Sequence, residues 1–154
     1  MAAAAADNPA ENPTEAIPRR LEELLAQQRD RLHDYLAVLE KHQAAIESGR
    51  EDHILAYVEI EESLASEIFS IQKVIEPLEA MSPVAVSIPA LRAELEGLKN
   101  MAAAQSRRNG ELLFTRMAAL RAEINALKSS QIAMGGRRSL YQGAGTASLI
   151  DIEG

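Results

Sequence analysis

The chain predicts an all-α fold: an antiparallel helical bundle or coiled coil of three long helices, with a disordered N-terminal leader and a flexible C-terminal tail. Three observations carry this. Apolar residues recur at alternating three- and four-residue spacing along separate stretches, which keeps one stripe of a helix facing a partner helix. Good helix formers dominate, while aromatics make up 3% and tryptophan is absent. Proline and glycine punctuate the chain mainly between those stretches. With 154 residues the chain reads as one domain with enough length to bury a helical core.

Residues 1–16 hold Asn8-Pro9, Asn12-Pro13 and an alanine run, and bury too little apolar surface to offset their ordering entropy. They read as a disordered leader. The bundle is expected over 17–134. Pro18 suits the first turn of helix 1, where a missing N–H is no loss. Helix 1, about 18–47, aligns Leu21, Leu25, Leu32, Tyr35, Leu39 and Ile46 on one seam, with Gln28 and His42 filling it. Ser48-Gly49-Arg50-Glu51 has the Ser-x-x-Glu capping-box pattern, so helix 2 starts almost at once and runs antiparallel to helix 1. Helix 2, about 50–76, aligns Ile54, Tyr57, Leu64, Ile68, Ile71 and Ile75, interrupted by Glu61. Pro77 is expected to stop or kink it.

Met81 to Ile88 reads as a connector, and Pro89 opens helix 3, expected over 89–133. Gly97 and Gly110 weaken that helix by about 1 kcal/mol each relative to alanine. At about 45 residues it exceeds the other two, each nearer to about 30. A helix that much longer must overhang, bend, or find another chain. Its seam also changes phase. Leu91, Leu95, Leu98 and Ala102 lie on one repeat, which continues through polar Gln105 and Asn109. Leu113, Met117, Leu120, Ile124 and Leu127 follow after an extra four-residue step, a stutter that rotates the apolar face. Two readings follow: a bent helix whose halves both pack internally, or a distal half that presents an apolar face to another protein. Residues 135–154, opened by Gly135-Gly136, lack helical periodicity and read as a flexible tail.

The net charge is −7, but it is unevenly placed. Residues 51–79 hold eight acids against Lys73, and residues 97–138 hold eight bases against Glu111 and Glu123. Opposite-sign faces help choose helix pairing. The basic stretch has only Phe114 for stacking on bases and the chain as a whole is acidic, so no nucleic-acid partner is expected. No apolar run approaches the roughly 20 residues that span a bilayer, so no membrane insertion is expected either. There is no cysteine, hence no thiolate chemistry.

Catalytic signatures are absent from the sequence. The residues three positions before His33, His42 and His53 are Asp30, Leu39 and Arg50, so the paired Glu-x-x-His of a di-iron bundle is missing. His42 reads as a packed core residue. Glu61, the acid on an apolar seam, is expected near a bundle end or paired with an arginine, since unpaired burial costs several kcal/mol. No phosphate loop or nucleophile elbow is present. The expectation is a protein that is not an enzyme and carries no cofactor or metal.

Three segments carry a family resemblance. The first is Leu21-Glu22-Glu23-Leu24-Leu25 through Tyr35-Leu36-Ala37-Val38-Leu39-Glu40, followed by Gln43-Ala44-Ala45-Ile46. The second is Arg108-Asn109-Gly110-Glu111-Leu112-Leu113, and the third Leu140-Tyr141-Gln142-Gly143-Ala144-Gly145. Their order, over roughly 18–145, resembles the FlgN-type flagellar export chaperones. The leader and Ser148 to Gly154 depart from that pattern. The resemblance implies a cytoplasmic type III export chaperone. Its partners would be the C-terminal helical segments of hook-associated (hook–filament junction) proteins and the flagellar export gate. Leu113, Met117, Leu120, Ile124 and Leu127 would form the client-binding stripe, and Tyr141 would dock on the gate. The alternative is a self-associating coiled-coil scaffold or tether, with a homodimer formed through helix 3.

Overall fold

The computed structural model describes residues 13–82 and 89–146, with side chains described over 15–82 and 89–136. Three α-helices account for nearly all of them: α1 (Pro13–Ser48), α2 (Glu51–Met81) and α3 (Pro89–Thr146). The described residues contain no strand. The chain divides into two units, Met1–Leu112 and Leu113–Gly154.

The first unit is a three-helix bundle. Leu21, Leu24, Leu25 and Leu32 of α1, Ile71 and Ile75 of α2, and Leu95 and Leu98 of α3 form its core. Leu36, Ile68, Leu78 and Leu91 are half-buried around them. Each leucine or isoleucine removed from water contributes about 1.5–3 kcal/mol, so the seam contacts carry the fold. The helix directions follow from cross-helix pairs. Gln28 meets Gln72 at 2.8 Å and His42 meets Glu61 at 2.6 Å, so numbers rise on α1 as they fall on α2. Tyr35 hydrogen-bonds Ser106 and the carbonyl of Leu39 accepts from Asn109, so numbers rise together on α1 and the proximal part of α3, which run parallel.

Helix ends depart from the sequence expectations at several points. Ser48 does not cap α2; its hydroxyl donates back to the carbonyls of Ala44 (2.8 Å) and Ala45 (3.2 Å). Gly49, at φ 68°, closes α1 in the left-handed region that a side chain would strain. Its N–H donates to Ile46 and that of Arg50 to Ala45, the paired bonds of a Schellman motif. The sharp turn is therefore a C-terminal device of α1, and Arg50 starts α2 without a side-chain cap. Helix α1 opens at Pro13, inside the segment read as leader, and Pro18 stands within it. Pro77 does not end α2, which continues to Met81. Leu78, one residue on, packs against the core and sustains that last turn, which closes with the Ser82 N–H on Leu78 and Glu79.

Helix α3 continues past Gly135-Gly136 to Thr146, where a tail from 135 and a helix end at 133 were expected. Glycine costs helical stability but retains its N–H, so it weakens the hydrogen-bond ladder without interrupting it as proline does. The parts of the expected leader, connector and tail at 1–12, 83–88 and 147–154 lie outside the described residues.

Polar groups fill several seam positions, and each is matched by a partner on a neighbouring helix. Glu61 pairs not with an arginine but with His42, which is buried. Nδ1 of His42 faces the carboxylate, while Nε2 is buried without a hydrogen-bond partner. Asn109 is buried as well and donates to the Leu39 carbonyl at 2.8 Å. Gln105 donates to Gln43 (2.6 Å) and to Asn109 (3.0 Å). The stretch that looks polar in the sequence thus continues the seam of α3 with hydrogen bonds in place of apolar contacts. Tyr35 is half-buried beside this layer. Burial pushes its hydroxyl above the usual value of 10.0, the charge of Glu61 adds to this, and a hydrogen bond with Ser106 opposes it.

Candidate helix-binding surface

The second unit carries the distal part of α3, and its apolar stripe is open to solvent. Leu113 is half-buried, whereas Met117, Leu120, Ile124 and Leu127 are 51%, 39%, 50% and 65% exposed. A helix of this length with an uncovered stripe leaves roughly 2 kcal/mol per large side chain unrealised. The expectation of an unfilled distal stripe concerned these residues, and four of the five are exposed.

Their placement follows from helical geometry. Steps of four, three, four and three residues from 113 to 127 keep these side chains on one face. The same register runs on through Gln131 to Met134, which is also exposed. Phe114 and Ile132, each one position after a residue of this register, are 74% and 76% exposed and widen the face on one side. Ile132 and Met134 were not singled out in the sequence, and Phe114 was weighed there only as a residue for stacking on bases. The signal was present as continuation of the spacing beyond Leu127, but Gly135-Gly136 appeared to end the helix and masked it. Tyr141 stands within α3, not in a tail, and its side chain lies outside the described residues.

The chemistry available on this face is that of apolar contact. Methionines at 117 and 134 bring unbranched, polarizable side chains that adapt to different neighbours. The pair of buried His42 with half-buried Glu61 belongs to the bundle instead and joins α1 to α2. Among the described residues, no group of three or more histidine, cysteine or acidic side chains is arranged to hold a metal ion. Among the same residues, no helix is long and apolar enough to cross a membrane.

No family model and no solved structure matches the chain. A Treponema pallidum (strain Nichols) protein, described as uncharacterized, is similar to it: 29% identical over 141 residues, which cover 89% of each chain.

Proposed function

We propose that the protein is a cytoplasmic type III export chaperone. It binds the C-terminal helical segments of hook-associated proteins, prevents their premature assembly, and hands them to the flagellar export gate. The observation that carries this reading is the exposed stripe of Met117, Leu120, Ile124 and Leu127 on a helix whose proximal seam buries Leu95, Leu98, Ala102 and Asn109. An amphipathic helix docks on such a surface through anchors at three- and four-residue spacing. The order of the three sequence segments that resemble FlgN-type chaperones gives the client its identity. Tyr141 is assigned the gate contact by the same resemblance.

The test is binding of the full chain to the C-terminal segments of hook-associated proteins. A Leu120→Glu, Ile124→Glu double variant loses affinity on the order of a hundredfold or more, because two apolar anchors are replaced by charges that resist desolvation. Its circular dichroism and its unfolding midpoint stay those of the parent. Loss of bundle helicity in that variant, or no binding by the parent, overturns the reading. Tyr141→Ala retains client binding but lowers client secretion in a flagellated host; equal secretion removes the tyrosine from the mechanism. Self-association through α3 is the competing use of the same face. Light scattering over a concentration series detects it as a stable oligomer that the double variant dissolves.

A further inference from the structure

The reading of α3 as a helix-binding surface leaves open which helices fit it, and the charges beside the stripe decide this. In a two-helix seam the positions immediately before and after each apolar residue face the partner's flanks and set its charge. Arg116 stands one residue before Met117, Arg121 one after Leu120, and Lys128 one after Leu127. All three are exposed. Glu123, one residue before Ile124, is the sole acid between 113 and 136. The flanks thus carry three bases against one acid: Arg121 and Lys128 on the side after the stripe residues, and Arg116 with Glu123 on the side before them, in a chain whose net charge is −7.

We infer that the distal face of α3 selects an acidic amphipathic helix of another protein: apolar at three- and four-residue spacing, with aspartate or glutamate at the flanking positions. This rests on the chaperone reading and narrows it. Two candidates within the chain fit less well. A second copy of the same face brings three bases and one acid against three bases and one acid, a like-charged pair. Helix α2 of a second copy has the acids, but its seam residues Leu64, Ile71 and Ile75 are buried in its own bundle. Its exposed apolar residues, Leu55, Ile60, Phe69, Val74 and Met81, stand five to nine residues apart and do not form a seam of three- and four-residue steps. An acidic partner also accounts for specificity, since opposite charges across a seam favour the right helix and like charges reject the wrong one.

The experiment uses the full chain and two labelled synthetic peptides with one shared leucine–isoleucine seam. One carries glutamate at every flanking position and the other lysine. Fluorescence anisotropy at low salt gives at least about tenfold tighter binding of the glutamate peptide, and the gap closes toward about 1 M salt, where the screening length falls to about 3 Å. The variant Arg116→Glu, Arg121→Glu, Lys128→Glu reverses the preference while keeping its helicity. Equal affinities, or a preference that survives the triple change, overturn the proposal. So does a dimer, seen by light scattering, that disperses in the triple variant, since the occupant is then a second copy. Should neither peptide bind while the hook-associated segments do, the charge rule fails and the chaperone reading stands. Should none of them bind, both fall.

Discussion

The seam of α1 and the distal seam of α3 share a spacing and differ in burial. Leu39 in the first is 1% exposed and Leu127 in the second 65%. Both sit on helices, both recur at three- and four-residue steps, and both read as core in a list of apolar positions. The difference is that α1 has two neighbours supplying Ile71, Ile75, Leu95 and Leu98 opposite its knobs. Periodicity selects the residues that share a face; it does not supply the second surface that fills it.

Truncation breaks this comparison most forcefully. Leu39→Ala removes a fully packed side chain and is expected to cost about 2–5 kcal/mol of unfolding free energy, read by urea titration. Leu127→Ala is expected within about 0.5 kcal/mol of the parent by the same titration. Similar losses at the two positions would mean that the distal seam is core.

Glycine substitutions sharpen the comparison at smaller scale. A Cβ added at Gly97 or at Gly135 meets nothing within 4 Å. Gly97→Ala is expected to stabilise the bundle by about 0.5–1 kcal/mol, through helix propensity and a less free unfolded chain. Gly135→Ala raises local helicity, measured by amide exchange, but leaves the global unfolding midpoint in place. A shift in that midpoint from Gly135→Ala would tie the distal segment to the cooperative core.

The smallest effect is confined to alkaline solution. Tyr35 has its folded-state pKa raised, by burial first and by Glu61 second. Its contribution is fully present below the unfolded-state value of about 10 and is lost as pH rises through the folded-state value. Unfolding free energy should therefore fall above about pH 10 in the parent and fall less steeply in Tyr35→Phe. Parallel curves for the two proteins would show that the tyrosine titrates freely.

Much of the fold is legible in the residues themselves. The seams of α1 and of the proximal part of α3, the tight α1–α2 connection and the opening of α3 at Pro89 all follow from spacing and local breakers. The helix ends are less so. Ser48 and Glu51 satisfy a capping pattern, yet Ser48 bonds backward, because Gly49 offers α1 a left-handed exit that meets the backbone groups first. Pro77 and Gly135-Gly136 look like stops, yet both are passed, the first because Leu78 gains a core contact and the second because glycine keeps its N–H. Of the candidate site, the register from 113 to 127 is plain in the sequence, but its extension to Met134 is hidden behind the glycine pair.

What the sequence determined by itself is the inventory of helices and the set of residues on each face. Spacing is a local quantity, written in a few consecutive turns. Tertiary structure alone decided that Glu61 finds His42, that Asn109 reaches the carbonyl of Leu39, and that one seam is sealed while another lies open. Those outcomes sum over neighbours distant in the chain, the Asn109 contact alone spanning 70 residues, and no local pattern contains them.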